Sequence, residues 1–306
     1  MIGWYSCLLL IGILFLNRAD AGAIDFDLIE VAEGIFVHRG VTVPFDHPNH
    51  DDIANIGFII GTECVAVVDT GGSLTIGRAL RAAIKRTTPL PICYVINTHV
   101  HPDHILGNAV FEKDDPLYIG HKNLPRAIAE NREFFLKNFA ADLDDSNDPA
   151  IIVAPERTVD SVWELNLGGR LLRLTAHQTA HTDQDLSVLD LNTMTLWLGF
   201  LFIERVPALD GSIKGWLAVM DKLRSIPAKR VIPGNGPAPA PWPEAMEPQQ
   251  RYLQLLVDEI RQLIAENKFL EDALKTVGQS ERDRWLLFNQ HHKSNVTRAF
   301  SELEWE

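Results

Sequence analysis

Three imidazoles and a carboxylate fall within six positions of Asn97-Thr98-His99-Val100-His101-Pro102-Asp103-His104. Such crowding points to a metal site, because neutral imidazole is the commonest protein metal ligand. In extended chain, residues two apart face the same way, so His99 and His101 are read as sharing one ion. Asp103 and His104 then reach toward a second position as the backbone turns. His181, in Ala180-His181-Thr182, is the next candidate and completes a three-histidine set. Three histidines plus water make a four-coordinate zinc site with an open position, which lowers the pKa of bound water to about 7 and yields hydroxide. Asp103 is read as the base that orients that water.

The elements that must hold these residues read as α/β. The apolar run Pro91-Ile92-Cys93-Tyr94-Val95-Ile96 is a short buried strand that ends at the histidines, a placement that combines rigid backbone with an open cleft. Other strand-like runs cover 34–37, 56–60, 65–68, 162–167, 171–175, 186–191, 195–200 and 230–232, with turns at Gly168-Gly169 and Asn192-Thr193. Helical spacing covers 76–85, 123–139 and 214–224. The stretch 237–243, Pro-Ala-Pro-Ala-Pro-Trp-Pro, is too proline-rich for regular structure and reads as a stiff linker. Beyond it, Tyr252, Leu255, Leu256, Ile260, Leu263 and Ile264 recur at helix spacing, and Trp285, Leu286, Phe288 and Phe300 suggest another helix, together a helical cap on the core. His291-His292 point in different directions from such a helix and are assigned to a solvated face.

The chain of 306 residues is 46% hydrophobic, enough for one large domain with an appendage. A formal charge of -13, with no Lys/Arg cluster, excludes a phosphate-backbone partner such as nucleic acid. Residues 7–16 are an apolar run followed by Asn17-Arg18-Ala19-Asp20-Ala21-Gly22-Ala23, which reads as a signal peptide over 1–23. A retained anchor is the competing reading, but the run is short against the ~20 apolar residues that a bilayer span needs, so no stable membrane span is expected after cleavage. Export leaves Cys64 and Cys93 as an even pair in an oxidising compartment, either bridged across neighbouring strands or buried as free thiols.

The histidine segment, Val67-Val68-Asp69-Thr70-Gly71-Gly72 and Ala180-His181-Thr182 together resemble the metallo-β-lactamase superfamily. The resemblance spans roughly residues 28 to 240 and implies an αββα sandwich, with a C-terminal helical extension over 244–306. Asp52-Ile53-Ala54-Asn55-Ile56-Gly57-Phe58, Asp210-Gly211-Ser212-Ile213-Lys214-Gly215-Trp216 and Phe300-Ser301-Glu302-Leu303-Glu304-Trp305-Glu306 resemble a narrower branch, the quinoprotein relay system zinc metallohydrolases. That resemblance implies a periplasmic hydrolase of a small-molecule ester, thioester or lactam-type bond, associated with quinoprotein dehydrogenase components. The loop 44–52 resembles the mobile flap of this superfamily, with a surface turn carrying incidental His47 and His50 as the alternative. Asp69 either orients a metal-site histidine or caps a turn.

Two positions depart from the superfamily pattern. A metal-bridging aspartate usually follows the Gly of a strand-end segment, where this chain reads Leu198-Gly199-Phe200. A histidine usually stands in the Pro-Gly-His-Gly turn, where this chain reads Pro233-Gly234-Asn235-Gly236. The expected metal set is therefore His99, His101 and His181 for one secure zinc, with Asp103 and His104 left at a doubtful second position. His177 or Glu204 rebuilding that second position is one alternative. A catalytically impaired, metal-binding accessory protein of a periplasmic redox system is the other.

Overall fold

The computed structural model describes residues 26–306, so the signal peptide read over 1–23 lies outside the described residues. Aliphatic and β-branched runs build a first sheet of seven strands in sequence order: β1 (Ile29–Ala32), β2 (Ile35–His38), β3 (Ile56–Ile60), β4 (Val65–Val68), β5 (Ile92–Ile96), β6 (Leu117–His121) and β7 (Arg157–Val159). From β4 onward the strands are parallel. The helices between them are α1 (Leu74–Thr87), α2 (Pro102–Ile105) and α3 (Leu124–Asn138). A second sheet lines up β8 (Val162–Asn166), β9 (Leu171–Ala176), β10 (Leu186–Asp190), β11 (Thr195–Phe202), β12 (Arg230–Asn235) and β13 (Ala240–Pro241). Helix α4 (Ile213–Leu223) makes the parallel crossover from β11 to β12, and α5 (Glu247–Ala265), α6 (Leu270–Thr276) and α7 (Phe288–Leu303) follow.

Burial sorts by strand face, as the two-residue period of a strand requires. Ile35, Val37, Val68 and Ile96 of the first sheet meet Leu172, Leu174, Leu186, Val188 and Trp197 of the second in a dry inter-sheet core. The opposite face of the first sheet packs on α1 through Val65, Val67, Leu80 and Ile84. The outer face of the second sheet packs on α4 and the C-terminal helices through Leu196, Phe200, Trp216, Tyr252 and Leu256. Helix, sheet, sheet, helix is the αββα order expected, and the C-terminal helices share the outer core of the second sheet.

The proline-rich stretch differs from expectation. Ala238, Ala240 and Trp242 are buried while Pro237, Pro239 and Pro241 are exposed, a strict alternation. Ala240 and Pro241 pair antiparallel with Val231 and Arg230 at the sheet edge, where a residue lacking an N–H is tolerated. The segment is an edge strand and its approach, not an irregular linker. Cys64 and Cys93 are free thiols on the adjoining β4 and β5 edges. Burial, then hydrogen bonding to Cys93, pushes the Cys64 thiol up to about 12.

Beside the inter-sheet core the loops before β3 and after β5 are tied to the second sheet by backbone hydrogen bonds, Asn55 N to the Gly234 carbonyl at 2.7 Å and Leu186 N to the Thr98 carbonyl at 2.8 Å. A Cβ on Gly199 would overlap the Thr98 side chain, and one on Gly234 would overlap the Gly199 carbonyl. Overpacking at such a contact costs about 1–3 kcal/mol, so Gly199→Ala is expected to lower the urea unfolding midpoint accordingly. An unchanged midpoint would mean that the sheets have slack at this point.

Candidate metal centre

Every candidate ligand comes from the carboxyl-end loops of strands. His99, His101, Asp103 and His104 follow β5, His181 follows β9, and Asn235 ends β12. Pro102 at the first turn of α2 ends the extended stretch and turns the chain so that Asp103 and His104 leave the line of His99 and His101.

The structure brings His99, His101 and His181 together, with one ligand nitrogen from each lying within 4.8 Å of the others. His101 Nδ1 is 3.2 Å from His99 Nε2 and 3.1 Å from His181 Nε2. The remaining ring nitrogens are held from behind. His181 Nδ1 donates to the Ala208 carbonyl at 2.6 Å, and His101 Nε2 meets Asp210 Oδ2 at 2.9 Å. Thr98 Oγ1 donates to Asp69 at 2.8 Å, so its lone pair accepts from His99 Nδ1 at 3.0 Å. These contacts fix the tautomers that aim lone pairs of His99 Nε2 and His181 Nε2 at the cluster. Burial, followed by the neighbouring imidazoles, holds both His99 and His181 well below 6.5, hence neutral. Converging lone pairs on neutral rings suit a cation. A tetrahedral ion with 2.0–2.1 Å bonds to nitrogen separates its ligands by about 3.3–3.4 Å, so the residues fit one divalent ion such as zinc.

Asp103 and His104 sit beside this cluster. His104 Nδ1 is 2.7 Å from Asp69 Oδ2, and its Nε2 is 3.4 Å from Asp103 Oδ2. Burial alone would lower the His104 imidazole, but the charges of Asp103 and Asp69 outweigh it and raise its pKa. Asp69 thus orients His104 directly and His99 through Thr98. Asn235 lines the metal cavity, with Nδ2 donating to the Ile53 carbonyl at 2.7 Å and Oδ1 buried without a partner. Phe200 faces away: its ring packs 5.3 Å from His177 in the outer core, whereas Phe202, two residues on, lies 5.1 Å from His181. His177 bonds Ser187 at 2.8 Å, and Glu204 is exposed. Neither rebuilds a second metal position.

A cavity of about 160 Å³ opens on the cluster, lined among others by Phe45, Phe202, Arg205, Asn235 and His291. Assigning His291-His292 to a solvated face was wrong. His292 is 3% exposed and bonded to Tyr252, while His291 reaches the cavity. Helix α7 clamps the loop between β11 and α4: Asn295 accepts from Leu209 N and donates to the Pro207 carbonyl, Arg298 pairs with Asp210 at 2.9 Å, and Glu302 accepts from Ser212 Oγ and Ile213 N. The sequence carried no signal for Asp210, Arg205 or His291 as site residues, because their proximity to the cluster depends on this packing.

Of the loop 44–52, Phe45 borders the cavity and His47 and His50 do not. His50 anchors the loop through Asp142 at 3.1 Å. Burial would lower its pKa, but bonds to Asp142 and the His47 carbonyl raise it above 6.5. The anchor is therefore complete below that value and lost as pH rises through the raised pKa. Amide exchange of residues 44–52, corrected for intrinsic chemistry, should be faster at pH 9 than at pH 6, and a pH-independent corrected rate would remove the anchor. For Asp210, whose carboxyl is pulled well below its ordinary range by His101 against the effect of burial, Asp210→Asn should weaken metal binding about 10–100-fold in a chelator competition. Undiminished affinity would exclude Asp210 from orienting His101.

Comparisons with known proteins agree with this fold. The family model described as "Metallo-beta-lactamase superfamily" matches residues 49–235. A metallo-beta-lactamase from Pontibacter korlensis superposes with a TM-score of 0.61 at 18% identity, over 75% of this chain and 99% of that one. The stereoselective inverting sec-alkylsulfatase from Pseudomonas sp. gives a TM-score of 0.68 at 15% identity, over 90% of this chain but 50% of that one. A metallo-beta-lactamase from Erythrobacter litoralis gives 0.58 at 15% identity, over 74% and 95%. At these identities the likeness is one of fold. A sequence comparison with curated proteins gives no match.

Proposed function

The chain belongs to the metallo-beta-lactamase superfamily, and from that premise we propose that it is an exported zinc-dependent hydrolase with a single secure metal ion. The observation that carries this reading is the convergence of His99, His101 and His181 nitrogens beside Asp103 in an open cavity. Zinc held there would supply a Lewis acid that polarises a carbonyl and acidifies water toward neutral pH.

The residues do the rest. Asp103, 8% exposed, takes the proton from the attacking water. His104, clasped between Asp69 and Asp103, fixes the orientation of that carboxylate. Phe202 and Trp216 pack against His181, keeping solvent off its ring. Hydrolysis of an ester, thioester or lactam-type bond in a small molecule, periplasmic location and a link to quinoprotein dehydrogenase components rest on the sequence resemblance. The similar solved structures, a metallo-beta-lactamase and a sec-alkylsulfatase, add β-lactams and secondary alkyl sulfates to the substrates worth assaying.

A metal-binding accessory protein is the second reading, favoured by the absence of the usual aspartate and histidine ligands where Phe200 and Asn235 stand. Metal counting on the purified mature protein, with thioester, lactone, β-lactam and alkyl sulfate assays, separates the two. One zinc with zinc-dependent turnover is expected, and Asp103→Asn should keep the zinc while losing turnover by about 10²–10⁴-fold. One zinc without turnover on any substrate class would favour the accessory role, and undiminished turnover in Asp103→Asn would place the base elsewhere.

A further inference from the structure

Arg205 is 5% exposed, yet it lines the same cavity as Asp103, His104 and Asn235. Glu204 adopts a φ of 65° and lies exposed, and the following residue is carried inward. The Arg205 backbone is pinned by a bond to the Ile203 carbonyl at 2.8 Å and by a β-bridge to Leu286. Its guanidinium lies 5.7 Å from the Phe202 ring and 6.0 Å from the Phe45 ring.

The charge is incompletely matched. One terminal nitrogen meets His291 Nε2 at 3.3 Å, and burial together with Arg205 itself pushes that imidazole down to about 4, so the partner is neutral. Nε is buried and has no partner. Asp103 is the carboxylate whose charge supports the guanidinium, and no carboxylate among the described residues forms an ion pair with it. Buried arginines are ordinarily paired, because an uncompensated charge in a low-dielectric interior is strongly destabilising. Asn235 Oδ1, on the same cavity, is likewise buried without a partner. The protein alone does not complete this wall.

We propose that Arg205 is a fixed cation standing in for a second metal ion, and that its guanidinium, at the cavity wall, binds an anionic oxygen group of the substrate, a carboxylate or a sulfate. This deepens the metallohydrolase reading and rests on it. A second divalent ion beside Asp103 and His104 would face the guanidinium at low dielectric, where like charges repel strongly. Neither Phe200 nor Asn235 offers a negative ligand to offset that repulsion. With zinc held by the three histidines, an anion between that site and Arg205 would have positive charge on both sides. The planar guanidinium edge suits carboxylate and sulfate oxygens through charge-assisted hydrogen bonds.

The test uses the full mature protein, zinc-free, titrated with ¹³C-labelled acetate and followed by NMR, with acetamide as the neutral control. Acetate is expected to bind at least about tenfold more tightly than acetamide. Arg205→Met should weaken acetate by a similar factor, and Arg205→Lys should recover part of the loss. Displacement of acetate by sulfate at lower concentration would assign a tetrahedral oxyanion, and weaker displacement a carboxylate; both support the subsite. Equal binding of acetate and acetamide by the unaltered protein, or unchanged acetate binding in Arg205→Met, overturns it. With excess zinc one bound ion per chain is expected, and two would overturn the fixed-cation assignment. A protein that takes up no zinc yet holds acetate through Arg205 would overturn the metallohydrolase reading and leave the anion subsite standing.

Discussion

A fully buried carboxylate must be satisfied on all sides, and Asp69 is the point from which the site is built. Its backbone sits at φ 55° at the end of β4, with its N–H bonded to the Ile96 carbonyl of β5. Its two oxygens accept from Thr98 N, Thr98 Oγ1 and His104 Nδ1. An orphaned charge here would be costly, so the carboxylate dictates the path of the loop after β5. Through Thr98 it sets the His99 tautomer, and through His104 it reaches Asp103. One side chain outside the metal cluster thus fixes metal ligand and base together.

That constraint works because the two sheets are held in close contact at the same level. Thr98 lies against Gly199 of the second sheet, and Asn55 N, just before β3, donates to the Gly234 carbonyl at 2.7 Å. The loops after β5, β9, β11 and β12 are consequently brought to one edge of the sandwich. The loops after β5 and β11 and the end of β12 line a single cavity, and its polar groups differ in kind: imidazoles at the metal cluster, a carboxylate at Asp103 and a guanidinium at Arg205. The departures at positions 200 and 235 are of different kinds. Asn235 remains in the cavity as an uncharged amide, whereas Phe200 belongs to the outer core.

Much of this was legible in the sequence. Strands β3, β4, β5 and β12 and helices α1, α3 and α4 declare themselves through apolar runs and helical spacing, and the histidine segment declares the metal. Strands β1, β6 and β7, three to five residues long, escaped; β1 and β7 are largely exposed and lack the continuous apolar run that marks β3, β4 and β5. Strand β13 escaped because its prolines hid an alternation of buried Ala238, Ala240 and Trp242. Among the charged groups, Glu204 looked like a candidate ligand and Arg205 did not. Which of two neighbours turns inward is decided by one backbone dihedral, and periodicity carries no record of it. The His291-His292 pair failed for a related reason: both are claimed by packing, one by the cavity and one by Tyr252.

Helix α7 gives the molecule an order of assembly. The metal ligands span positions 99 to 181, so a chain emerging in sequence possesses all three before α7 exists. Until Asn295, Arg298 and Glu302 arrive, the loop that carries Arg205, Ala208 and Asp210 lacks its clamp. His101 and His181 would then lack firm support from behind. The support behind two of the three metal ligands is thereby completed only once the chain has passed Glu302.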